Sequence, residues 1–242
     1  MKQTLKILGL VCLLTVGVAM HANVTVGTYD TGNCYPFLCN DSGTNVGVSI
    51  DWQQAYSKTA FPGQITITNL EFYYAADFGG SSTMINGTYD IYLGTSANPF
   101  NALSPNQPAN RMGDWSLVDH LVVGPNNPGC DFNPVCTINL TTPFNYVPGN
   151  GDLLLEIIVT NQDVVPNGSG NGYNQADDTG NLMFRTWCLG QKDCTDANVD
   201  SFGALVTTFS TGQTGVPEPG TLVMFGSGIL GVAGLLRRKI NL

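Results

Sequence analysis

The sequence predicts an all-β fold: a single β-sandwich, jelly-roll-like, set between an N-terminal signal peptide and a C-terminal single membrane helix. Three observations lead there. Short runs rich in Val, Ile, Thr, Tyr and Phe recur between clusters of Gly, Pro, Asn and Asp, the punctuation of a many-stranded antiparallel fold. No long stretch places apolar residues at three- and four-residue spacing, so nothing inside the body reads as an amphipathic helix. Uncharged apolar runs occur only at the two ends, each bordered by basic residues.

Residues 1–22 read as the signal peptide. Lys2 and Lys6 form the basic start, and residues 7–20 carry no charge. That run suits the apolar region of a leader and is short for a bilayer span. Leu10 and Val11 precede Cys12, where a lipid-attachment box would need a small residue. The body is then residues 23–211, one domain's worth of chain with room for a sizeable core.

The first strand is expected at "VTVGT" from Val24 and the next at "VGVSIDW" from Val46. In "QITITNLEFYYA" from Gln64, Ile65 and Ile67 share one face, while Leu70, Phe72 and Tyr74 alternate in the opposite parity. A register change of that kind predicts a bulge near Thr68 and Asn69. "GTYDIYLGT" puts Tyr89, Ile91 and Leu93 on one face; "WSLVDHLVVG" from Trp115 and "VCTINL" from Val135 follow. "GDLLLEIIVTN" from Gly151 is the strongest signal. Leu153, Leu155, Ile157 and Val159 fill one face, and Leu154 and Ile158 make the other apolar too, so this strand should be central. "NLMFRTWC" and "GALVTTFS" complete the set. Residues 98–110, with their prolines and asparagines, and the Gly-rich residues 165–180 read as long exposed loops.

Seventeen acidic residues against four basic ones leave the body near −13. Such a surface repels nucleic acid and anionic headgroups. Six of the seven cysteines lie in the body, as Cys34/Cys39, Cys130/Cys136 and Cys188/Cys194. An even count in an exported chain reads as disulfides. Fifteen pairings are formally open; local pairing is the simplest, because each partner is near and closure costs little. A thiolate zinc site would favour ligands two to four residues apart, which none of the pairs offers.

The tail begins Pro217-Glu218-Pro219, continues with the uncharged residues 221–236 and stops at Arg237, Arg238 and Lys239. A helix over 221–236 would be about 24 Å long at 1.5 Å per residue, slightly under a bilayer's hydrocarbon core. The basic trio should stay on the cytoplasmic side. Triplet, span, basic stop and terminal position, over residues 216–240, together resemble the PEP-CTERM sorting signal, a tail also called an ice-binding protein C-terminal domain. The resemblance implies that an exosortase, a membrane protease, takes Pro217, Glu218 and Pro219 as substrate residues. It further implies transient inner-membrane anchoring, then passage to the cell surface or extracellular matrix of a bacterium. "TPFNYVPGNGDLLLEIIVTN" and "NGTYDIYLGTS" also resemble segments of surface proteins bearing such tails; that likeness carries no molecular activity with it.

Catalytic chemistry has few carriers. The body's one histidine, His120, sits beside Asp119 in a strand, and neighbours in a strand point to opposite faces. No nucleophile motif is present and the paired cysteines leave no free thiolate. A glycosidase would need paired carboxylates, yet Glu71 and Glu156 both lie in strands, where a carboxylate is expected to face solvent. Calcium is the one candidate ion. "DCTDANVDS" starts like an EF-hand loop, but Ser201 and Thr207 stand where that loop needs Gly and Glu. Asp177, Asp178, Asp196 and Asp200 remain the candidate ligands. Sugar recognition would need aromatic faces beside polar groups; Trp52, Trp115 and Tyr173 are the candidates, together with Tyr35, Tyr56 and Trp187, all in or near expected loops. The reading is a non-enzymatic surface or matrix protein without a resident cofactor, with polysaccharide and an exosortase-type protease as expected partners and no nucleic acid. A secreted hydrolase with an acidic cleft is the alternative.

Overall fold

Eight of the thirteen strands among the described residues pair in a nested order. In a computed structural model that describes residues 23–39, 47–163 and 172–211, β1 (Val24–Val26) pairs with β13 (Thr207–Ser210), β3 (Val48–Tyr56) with β8 (Leu153–Thr160), β4 (Ile65–Tyr73) with β7 (Val135–Tyr146), and β5 (Gly87–Thr95) with β6 (Ser116–Val123). First goes with last and innermost with innermost, all antiparallel, as in one long hairpin wound around a core. Successive pairs fall in alternate sheets: β1-β13-β4-β7 in one, β3-β8-β5-β6 in the other. That is the wrapping of a jelly roll.

Two additions extend this frame. β10 (Met183–Leu189) and β11 (Asn198–Asp200) lengthen the second sheet beyond β3, giving six strands. A small third sheet joins β12 (Ala204–Leu205), β9 (Asn174–Asp177) and β2 (Thr31–Asn33). Among the described residues there is no α-helix, only short 3₁₀ turns.

Alternation explains the core. Ile65, Ile67, Leu70 and Phe72 of β4 and Tyr89, Ile91 and Leu93 of β5 are all buried. The pairing of β4 with β7 shifts register between Ile67 and Asn69; the predicted bulge is there, and it lets both apolar parities face inward. Across the core, Tyr56 meets Phe209 edge-on at 4.8 Å between ring centres, and its hydroxyl bonds Thr207 Oγ1 at 2.8 Å. Burial raises the Tyr56 phenol above its ordinary range. β8 lies between β3 and β5, as its two apolar faces predict.

The loop expectation needs correction. Residues 98–110 fold back over the outer face of the six-stranded sheet. Leu103 joins Ala55 and Leu154 in a small second core, and Gln107 and Asn110 are fully buried. Within 165–180, residues 174–177 form β9, with Asn174, Ala176 and Asp177 buried.

Candidate functional site

Side chains on the six-stranded sheet alternate. Trp52, Gln54, Leu155 and Ile157 point into the main core, so Asp51, Gln53, Glu156, Thr186 and Tyr92 occupy the outer face. A polar outer face is normally wet. Here residues 98–115 and the loop closed by Cys188–Cys194 cover the half made by β10, β3 and β8. Gln107 donates from Nε2 to the Asp51 carbonyl at 3.0 Å and to Thr186 Oγ1 at 3.2 Å. Its amide donates to the Cys194 carbonyl at 2.8 Å. Asn110 Nδ2 donates to Gln53 Oε1, and Gln53 Nε2 to Glu156 Oε1, each at 2.9 Å. Beneath this lattice the side chains of Asp51 and Glu156 are both 0 % exposed.

Arg111 neutralises them. Its Nε donates to Glu156 Oε2 at 2.9 Å, and its Nη2 bonds Glu156 Oε1, a two-pronged contact. Nη1 reaches Asp193 Oδ1 at 2.5 Å, and Nη2 lies 3.9 Å from Asp51 Oδ2. Asp51 Oδ2 also accepts the Asp193 amide at 2.8 Å, while Asp51 Oδ1 has no hydrogen-bond donor. One guanidinium therefore faces three carboxyl groups. Burial, then the proximity of Glu156, pushes Asp51 up to about 8. At neutral pH Asp51 holds a proton. Burial alone would lower Arg111; its hydrogen bonds and attraction to Glu156 and Asp193 outweigh that and hold it raised.

A protonated carboxyl beside a carboxylate is the pair that acid–base hydrolysis uses. Reach decides otherwise here, because neither group meets solvent. What the pair does is fasten two covering loops to the sheet. The expectation of a solvated Glu156 is thus overturned: the residues 98–115 that bury it are remote in sequence. Glu71 is half-buried on β4 and accepts from Ser210 Oγ at 2.8 Å.

Toward β6 the outer face opens. The Arg111 guanidinium stands 4.5 Å over the Trp115 ring, and Trp115 stacks on Tyr92 at 4.2 Å with 7° between planes. Leu117, Val122 and His120 beyond are exposed. His120 Nδ1 lies 2.5 Å from Asp90 Oδ1 on the neighbouring strand, whereas Asp119 is buried on the other face. Asp119 and His120 face opposite ways, as strand alternation predicts; the cross-strand partner is invisible without the pairing.

The remaining candidates do not converge. Trp52 is wholly buried between the sheets; its place mid-strand, not in a loop, removes it as a ring offered to a ligand. Trp115 is half-buried between Tyr92 and Arg111. Tyr173 is half-buried, 5.4 Å from the exposed Phe78 ring. Asp177 spends Oδ2 on the Thr28 amide and Oδ1 on Thr179. Asp178 accepts the Gly203 amide at 2.8 Å, and burial raises its carboxyl. Asp200 pairs with Arg185 at 3.2 Å, and Asp196 is exposed. Among the described residues no three His, Cys, Asp or Glu side chains are set to hold a metal ion. The cysteines join locally as Cys34–Cys39, Cys130–Cys136 and Cys188–Cys194.

The expected signal peptide over residues 1–22, Pro217, Glu218 and Pro219, the expected span 221–236, and Arg237, Arg238 and Lys239 lie outside the described residues. Among the described residues no helix is long and apolar enough to cross a membrane. What the chain presents is an all-β, disulfide-stapled body followed by a short distinctive tail. Residues 215–239 match the family model of the PEP-CTERM protein-sorting motif. The tail marks the chain for export and for processing by an exosortase. No curated protein and no solved structure matches the chain.

Proposed function

We propose that this protein is a non-enzymatic component of the cell surface or extracellular matrix, delivered by its sorting tail, whose β-sandwich binds polysaccharide. The observation that carries the reading is the sorting motif at residues 215–239. The structure supports the non-enzymatic part through the Asp51–Glu156 pair, which is enclosed and committed to Arg111. The net charge near −13 argues against polyanionic partners. Half-exposed aromatic groups beside amides and carboxylates are the chemistry that sugars require.

The test is fractionation of cells expressing the full chain, followed by probing the matrix polysaccharide for bound protein. The reading expects the protein in the surface or matrix fraction, released by polysaccharide-degrading treatment. Recovery only as a free periplasmic protein would overturn it. A secreted hydrolase is the alternative, and it would need the enclosed Asp51–Glu156 pair to reach a substrate. That alternative requires hydrolysis of a glycan substrate that Glu156→Gln abolishes while the fold persists.

A further inference from the structure

At one end of the sandwich, bordering the Arg111 cluster through the Ser96–Arg111 bridge and the Asn98–Asn110 hydrogen bond, lies an open groove of about 460 Å³. That is within the roughly 300–1,000 Å³ of small-molecule sites. Its walls come from two places in the sequence. One is the turn at Lys58 and Thr59 after β3; the other is residues 97–101 after β5. Asp152 joins them. Its Oδ1 accepts the Lys58 amide and its Oδ2 the Phe100 amide, both at 2.8 Å, and its own carbonyl accepts the Ser96 amide at 2.7 Å. A single carboxylate thus holds both walls, so the groove is built before any ligand arrives.

The lining has a definite chemistry. Phe100 is half-buried with its ring edge-on to Phe184 at 6.2 Å. Thr59 and Asn101 are exposed and offer a hydroxyl and an amide. Lys58 and Asp152 bring one positive and one negative charge, so the groove is electrically balanced in a body near −13. An aromatic ring beside neutral donors and acceptors fits hydroxyl-rich rings. A polyanion would gain nothing in the groove and meet repulsion around it.

We infer that this end groove, lined by Lys58, Thr59, Asn98, Phe100 and Asn101, binds a segment of neutral polysaccharide. The inference rests on the polysaccharide reading above and adds the place and the charge class of the ligand. The experiment is affinity electrophoresis of the full chain in a sugar-free non-ionic detergent. Gels would contain dextran, laminarin, galactomannan or hydroxyethyl cellulose as neutral polymers, and polygalacturonate as the anionic one. Retardation by at least one neutral polymer and not by polygalacturonate is expected. Phe100→Ala should weaken that retardation about tenfold. Ala97→Arg, a change at an exposed position that fills the groove without touching the core, should do the same. Binding to polygalacturonate alone would overturn the neutral-ligand inference and leave the broader reading standing. Neutral binding that survives Ala97→Arg would move the site elsewhere and sink the inference. Binding to none of the polymers would remove both.

Discussion

With Glu156 and Asp51 shut away from water, Arg111→Ala would leave buried carboxyl groups without their cation. Breaking a buried pair from one side costs about 3–5 kcal/mol, and the urea midpoint of the body should fall accordingly. Asp51 makes a pH-dependent contribution of definite sign. Its carboxyl is raised to about 8 in the fold and titrates near 3.9 when unfolded. Between those values the native chain holds a proton the unfolded chain has lost. The stabilisation is whole below pH 4 and is lost as pH rises to about 8. Asp51→Asn should therefore match the wild type in melting temperature near pH 4 and exceed it near pH 8. Equal pH slopes for the two proteins would contradict this. Glu156 shows what the sequence offered and withheld. It sits between Leu154 and Ile158 on one face of its strand, and those two neighbours mark that face as covered. Which residues cover it could not be read, since Arg111 is remote in sequence and carries no motif.

At the scale of elements, the strands were legible wherever alternation was clean. The parity change at Thr68 located the bulge, and the two apolar faces of "LLLEIIV" placed β8 at the centre. Residues 98–110 were misread because proline and asparagine announce irregular backbone, not exposure. Gln107 and Asn110 are polar yet buried, since each side chain supplies hydrogen bonds that the sheet's outer face needs. Gly94 shows how closely the cover sits: a Cβ there would lie 2.7 Å from the Trp115 Cα. Gly94→Ala should push that segment outward at a cost of about 1–3 kcal/mol. Near-UV circular dichroism should report the loss of the Tyr92–Trp115 stack, and an unchanged aromatic spectrum would refute this packing.

For the whole molecule, the three disulfides are local, with sequence separations of 5, 6 and 6. Short loops limit what each contributes, to about 2 kcal/mol by closure entropy. Replacing Cys188 and Cys194 together by Ser should lower stability by about that amount, with the β signature in far-UV circular dichroism intact. The tail was the most legible part of the chain because its signal is contiguous: triplet, apolar run and basic stop need no fold to be recognised. Replacing Pro217, Glu218 and Pro219 by Ala should leave the protein unprocessed in the membrane fraction, measured by mass and fractionation.

The strand that leads toward the tail is β13, and it is not an edge: β1 pairs with it on one side and β4 on the other. A pull applied through residue 211 along that strand loads both ladders in shear, so their hydrogen bonds must give way together instead of one by one. A load entering at residue 211 would therefore meet more resistance than if β13 were an edge strand.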